Sequence, residues 1–357
     1  MDGTFADIAK LCDSTVCRTY ARQPVVFVRG SGCRLWDNTG KEYRDFLAGI
    51  AVCNLGHCPE RLTKVICEQA AKLVHVSNLF YTEPQTLLAA ELVKHSFGDR
   101  VFFCNSGAEA NEAAIKLARK YSFTHYGPGR YHIITMKHSF HGRTLATLSA
   151  TGQEKVQKGF EPLVDGFTYV EFGSIEAVEK AITEKTCAVM VEPIQGEGGV
   201  RIPPAGYLKE LRKLCDERGL LLIFDEVQVG MGRTGRLFAY EHEGVAPHIM
   251  TIAKALANGL PMGAMIATEE VASAFEPGSH ASTFGGTPLV SAVALETLRT
   301  IADPEFLAGV RRKGEYFLEK LRELQKRHSM VKDVRGRGLM VAMELDRPAK
   351  AVVDKCL

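Results

Sequence analysis

The chain has 357 residues, enough for two domains or for one large and one small domain around an ample core. Its 46% hydrophobic and 24% charged residues are the composition of a soluble globular protein. Lys plus Arg total 44 against 42 for Asp plus Glu, which leaves no basic excess to attract nucleic acid, and no apolar run reaches bilayer-spanning length.

The first twenty residues, MDGTFADIAKLCDSTVCRTY, have neither a basic start nor an apolar h-region. A cytoplasmic location is therefore expected. VVFVRGSGCRLWDNTGKEYRDF follows, alternating apolar and polar residues across two turn signals, G-S-G and N-T-G. That pattern predicts a β-meander. Short apolar runs then alternate with helix-period segments, the signature of βαβ units. Five of these runs end in polar, glycine-bearing stretches. RVFFC leads to NSGAEA, YHIITMK to HSFHGRT, CAVMV to EPIQGEGG, LLLIF to DEVQ, and HIMTI to AKALANG. In an open parallel sheet ligands sit at the carboxyl ends of the strands, so the five stretches are expected to face one crevice. Before the fourth run, Tyr207, Leu208, Leu211, Leu214 and Cys215 share one helix face, and Gly219 closes the helix. After residue 290, PEFLAGVRRKGEYFLEKLRELQKRH predicts a long amphipathic helix with Phe306, Val310, Phe317, Leu321 and Leu324 as its stripe. VKDVRGRGLMVAMEL predicts a strand pair. The expected division is residues 1–50 as the N-terminal part of a small domain, 51–290 as a large cofactor-binding domain, and 291–357 as the C-terminal, incomplete part of the small domain.

The ten cysteines are scattered with no C-x-x-C and no Cys/His zinc spacing. They are expected to be reduced thiols in a cytosolic core, and no metal is expected. His138 and His141 lack a third ligand in sequence and are expected to line the site at most. Gly230-x-Gly232-x-x-Gly235 matches a dinucleotide fingerprint, but the twelve residues after it are too short for the required helix, and no acidic residue stands between Gly244 and Thr268 for a ribose. These glycines are expected to serve a turning loop.

The five strand ends suit pyridoxal phosphate better. Its phosphate needs backbone N–H groups at a helix start, which Ser106, Gly107 and Ala108 provide ahead of EANEAAIKLARKY, although Ser106 alone would also read as an ordinary N-cap. Its pyridine nitrogen needs a carboxylate to stay protonated, and Asp225 ends a buried strand; a helix cap or structural ion pair is the other reading. Its aldehyde needs an amine of lowered pKa, and Lys254 sits among apolar neighbours. Phe140 could stack on the ring or belong to the core. Arg143 suits a substrate carboxylate or a surface ion pair.

FFCNSGAEANEAAIKLARK, FHGRT, VEPIQGEGG, LLIFDEVQVGMGRTG and AKALANGLPMGA resemble the class III (ω-) aminotransferases of fold type I, from about Tyr20 to the end of the chain. The resemblance implies an α/β fold whose large domain carries a mostly parallel seven-stranded sheet covered by helices, with a smaller α+β domain from both chain ends. It implies Lys254 as the lysine that holds the cofactor, Asp225 as the pyridinium partner, Gly107 and Ala108 at the phosphate, Phe140 on the ring and Gln228 near the phenolic oxygen. Arg143 would take the α-carboxylate of an N-acetylated diamine, Ser282 would touch substrate, and Thr283 would reach the phosphate of the neighbouring subunit of a homodimer. The implied reaction moves the terminal amine of N-acetylornithine to 2-oxoglutarate, a step of arginine biosynthesis; succinylornithine, ornithine and 4-aminobutyrate are sibling donors. The family continues beyond the position of Leu357 with an arginine that binds the α-carboxylate of glutamate or 2-oxoglutarate and pairs with a glutamate matching Glu197. The chain as given is accordingly expected to be truncated, with Glu197 unpaired and the second half-reaction slow.

Overall fold

The computed structural model describes residues 4–357. Three sheets organise them. The meander forms as the sequence predicts: β1 (Phe27–Ser31), β2 (Arg34–Asp37) and β3 (Glu42–Arg44) pair antiparallel in that order. A helix that the sequence reading did not contain, Phe5–Thr15, precedes them, started by a capping box between Thr4 and Asp7.

The central sheet comprises β4 (Arg100–Cys104), β5 (His132–Met136), β6 (Phe167–Val170), β7 (Thr186–Val191), β8 (Leu221–Asp225), β9 (Ile249–Ile252) and β10 (Gly263–Ala267). Their order is β4-β10-β9-β8-β7-β5-β6. β10 runs antiparallel to both neighbours, and every other pair is parallel. The five strands read from sequence therefore all point the same way, and their carboxyl ends lie along one edge. β7, β8 and β9 are buried throughout, as a parallel sheet covered on both faces requires. β6 and β10 are not among the five runs that the sequence pattern marks. β10 reads GAMIA, with a glycine and two alanines in five residues, and has too little branched or aromatic character to stand out. Gly263 is needed there because a Cβ would run into the Ser106 carbonyl.

Helices cover both faces of the sheet. Helix Tyr207–Glu217 buries Tyr207, Leu208, Leu211, Leu214 and Cys215, the face read from its spacing, and Gly219 ends it with φ of 60°. The long helix Pro304–Arg327 also forms as predicted, but its most buried positions are Val310, Gly314 and Leu318. The stripe is displaced because Gly314 lets the helix axis come down on the Gly338 turn, where a Cβ would strike backbone. That turn joins β11 (Val331–Arg337) to β12 (Met340–Leu345), the predicted strand pair.

All ten cysteines are free. Only Cys104, Cys187 and Cys215 are buried, so the expectation of core thiols holds for three of them, and the rest are partly or fully exposed. No helix among the described residues is long and apolar enough to cross a membrane.

Candidate active site

The carboxyl edge of the sheet encloses a cavity of about 250 Å³. Gly107, Ala108, Phe140, Arg143, Glu197, Asp225, Gln228 and Lys254 all line it, eight of the eleven residues singled out from sequence. Ser106 sits at its edge as the N-cap of helix Gly107–Tyr126, its Oγ accepting from Glu109 N–H at 3.2 Å. The capping role weighed for Ser106 is thus present. Gly107 has no room for a side chain, since a Cβ would lie 2.6 Å from Val227. The helix start and its unpaired N–H groups therefore open directly onto the cavity, with about half a positive charge from the helix dipole behind them.

Asp225 ends β8 with only 4% of its surface exposed. Its Oδ2 accepts from Asn111 Nδ2 at 2.8 Å and lies 2.7 Å from His141 Nδ1, and its Oδ1 accepts from Val227 N–H at 3.0 Å. Asn111 is fixed in turn, because Thr251 donates to its Oδ1 at 2.6 Å and its Nδ2 also reaches the His141 carbonyl at 2.7 Å. Three groups, two of them from distant parts of the chain, thus converge on one buried carboxylate. His141, which the sequence alone places at the lining of the site at most, is the ionisable neighbour of that carboxylate. Its signal was present: a histidine at a strand end, two residues before Arg143, in the run that also carries Phe140. Its Nε2 is buried and has no partner. His138 is exposed and shares nothing with it.

Glu192 is a second residue the sequence did not single out. It accepts from Phe140 N–H with one oxygen and Gly196 N–H with the other, each at 3.0 Å, and so joins the loop of Phe140 to the loop of Glu197. Burial pushes its carboxyl up to about 7, with His141 opposing and Asp225 adding to the rise. Lys254 opens a 3-10 turn after β9, and burial holds its amine below the ordinary lysine range, with Asp225, Glu197 and Glu192 opposing. Arg143 is exposed at the mouth, its guanidinium 5.5 Å from the Phe140 ring centre.

Ser282 and Thr283 are not in this cavity. Ser282 Oγ accepts from Asn105 Nδ2 at 3.2 Å and from Gly285 N–H at 3.0 Å, and both residues line a separate hollow with Asn105 and Glu109. The glycines 230, 232 and 235 form a turning loop, with Gly232 and Gly235 at φ of 81° and 85°, and only the short turn Ala239–His242 follows. Among the described residues no three His, Cys, Asp or Glu side chains are grouped as a metal would need.

Residues 16–357 match the family described as aminotransferase class-III. The chain belongs to that family. It is 54% identical over 340 residues to acetylornithine aminotransferase of Caldanaerobacter subterraneus subsp. tengcongensis, covering 95% of this chain and 86% of that one. It is 52% identical over 338 residues to the enzyme of the same name from Methanocaldococcus jannaschii, covering 95% and 85%. Among solved structures, ornithine aminotransferase from Toxoplasma gondii superposes with a TM-score of 0.93 at 37% identity, covering 98% of this chain and 83% of that one. N-acetylornithine aminotransferase from Stenotrophomonas maltophilia gives 0.83 at 41%, covering 97% and 86%.

Class III aminotransferases depend on pyridoxal phosphate, and the cavity of this one fits that cofactor. An anion-binding helix start, a buried carboxylate and an amine of lowered pKa converge on one space, beside a buried imidazole nitrogen with nothing to bond. The fold is the α/β arrangement of fold type I, with a mostly parallel seven-stranded sheet.

Proposed function

We propose that the chain transfers the terminal amine of N-acetylornithine to 2-oxoglutarate, giving N-acetylglutamate 5-semialdehyde and glutamate, a step of arginine biosynthesis. The observation that carries this reading is the convergence of Lys254, Asp225 and the Gly107 helix start on one cavity, in a chain half identical to enzymes named for that substrate.

When bound, pyridoxal phosphate supplies an electron sink for the carbon that loses its proton. Lys254 would hold the cofactor through its ε-amine, and that amine would move the proton at the substrate carbon bearing the amine. Its lowered pKa keeps a share of the amine neutral and able to act as base. Asp225, braced by His141 and Asn111, keeps a proton on the ring nitrogen. The Gly107 and Ala108 N–H groups receive the phosphate, with the Ser106 cap securing the helix start. Phe140 would stack on the ring, and Gln228 would stand near its phenolic oxygen, both from the lining of the same cavity. Arg143 at the mouth takes the α-carboxylate of the acylated diamine, and Glu197 guards the side where glutamate's second carboxylate enters.

The active unit is a homodimer. Leu79 is 85% exposed, and Phe80, Tyr81 and Phe284 beside it are also bare, an apolar face that a second copy would cover. Ser282 and Thr283 stand near this face, away from their own chain's cavity, where they can serve the partner's. Ten free thiols suit the reducing cytoplasm.

The test is a spectrum of the cofactor-loaded protein titrated with N-acetylornithine and, separately, ornithine. The expected result is a near-visible shift at far lower N-acetylornithine concentration. Borohydride should fix the cofactor to Lys254, and Lys254→Ala should abolish that attachment. Preference for ornithine would reassign the substrate; labelling of another lysine would reassign the site.

A further inference from the structure

Lys254 adopts φ of 48°, in the left-handed region, and the turn it opens closes at Asn258 with φ of 45°. A side chain with a Cβ rarely occupies that region, and such a backbone persists where its surroundings over-determine it. Here the surroundings come from residues 54–56, about two hundred positions away. The Asn258 side chain is fully engaged with them: Oδ1 accepts from Leu55 N–H at 2.9 Å, and Nδ2 donates to the Gly56 carbonyl at 3.0 Å. The adjacent Asn54 reaches the other way. Its Nδ2 donates to the Met231 carbonyl at 2.7 Å, and its Oδ1 accepts from the Arg233 guanidinium. Residues 54–56 are themselves held by a turn, Gly56 N–H to the Cys53 carbonyl at 3.0 Å, and by the reciprocal Gly32–His57 backbone pair at 2.9 and 2.8 Å. All three are partly buried, so water does not freely replace these bonds.

The geometry points to a clamp: residues 54–56 grip Asn258 on one side and the Met231–Arg233 loop on the other, and so fix where the Lys254 amine stands. Asn258 and Asn54 are then positioning residues for the lysine, acting through the backbone turn. The assignment rests on the reading of Lys254 as the lysine that holds the cofactor. Its physical use lies in charge placement. Arg233 lowers the proton affinity of Lys254, whereas Asp225, Glu197 and Glu192 raise it, behind the larger effect of burial. The balance depends on how far the amine stands from each, and the clamp ties the lysine turn and Arg233 to the same three residues.

Asn258→Gly separates the backbone from the side chain. Glycine keeps the left-handed conformation without strain, while both side-chain hydrogen bonds are lost. With the cofactor-loaded protein, we expect a folded variant whose Tm falls by only a few degrees. The midpoint of the near-visible absorbance change with pH should rise by ~0.5 unit or more as the lysine relaxes toward solvent. kcat for N-acetylornithine should fall ~10- to 100-fold, with KM altered far less. Asn258→Asp retains the acceptor for Leu55 but loses the donor to Gly56, and its kcat should fall between the two. A folded Asn258→Gly protein with wild-type midpoint and kcat would overturn the clamp, as would wild-type kcat in Asn258→Asp. Failure of Asn258→Gly to fold would overturn it too, by making Asn258 a structural residue only. Borohydride labelling of a lysine other than Lys254 in the wild type would instead end the reading of the site, a result distinct from any of these.

Discussion

The carboxyl edge of the seven-stranded sheet and the face around Leu79 treat their exposed groups in opposite ways. At the sheet edge a carboxylate, Asp225, is almost sealed from water, and each of its oxygens is matched by a donor from within the chain. Around Leu79 the side chains are apolar, and they are left in water, with Tyr81 103% exposed. The contacts to that carboxylate are all made within one chain. The second region lacks a covering surface, and the hollows beside it hold Ser282 and Thr283, two of the three selected residues absent from the lining of the main cavity. Polar groups must be satisfied wherever they are buried, so the chemistry of the sheet edge had to be assembled locally. Apolar surface can wait for association, because its burial needs no particular direction.

The contrast is broken most severely at Asp225. Asp225→Ala removes the acceptor shared by Asn111 and His141; Asn111 keeps its bond to the His141 carbonyl, but the buried His141 Nδ1 loses its partner. We expect weaker cofactor binding and a half-reaction slowed by roughly two to three orders of magnitude, measured by single-turnover absorbance. A variant within a few-fold of wild type would show that the ring nitrogen is served by another group.

Arg143 tests the mouth of the same region. Loss of a charge-assisted hydrogen bond costs about 1.5–3 kcal/mol, and exposure to solvent places this one at the low end. Arg143→Ala should raise KM for N-acetylornithine roughly tenfold and affect putrescine, which has no carboxylate, much less. Equal losses for both donors would remove Arg143 as the carboxylate reader.

The smallest effect on activity is expected at the apolar face. Leu79→Ser removes one side chain's burial from each of the two subunits, about 1.5 kcal/mol apiece, and should raise the dimer dissociation constant by roughly 100-fold. Sedimentation equilibrium would measure it, with activity per chain falling only on dilution. A chain that stays monomeric at every concentration in the wild type would show that something other than a second copy covers this face.

The sequence by itself determined the strands that matter and the residue types at their ends. Branched runs buried on both faces are legible without a structure, because a parallel sheet covered by helices demands them, and helix Tyr207–Glu217 followed its spacing residue by residue. The glycine motif could also be refused as a dinucleotide site from its flanks alone. Only the tertiary structure decided which groups complete the site. His141 and Glu192 reach it across loops whose meeting depends on strand order, β5 beside β7 and β7 beside β8, and strand order leaves no local pattern. β10 stayed hidden because small residues can form a strand only where both neighbours come close. The buried stripe of helix Pro304–Arg327 shifted because Gly314 offers a close approach that hydrophobic periodicity does not record. The hold on Lys254 by residues 54–56 was likewise invisible in sequence, since an asparagine side chain bonding to distant backbone leaves no trace in spacing or composition.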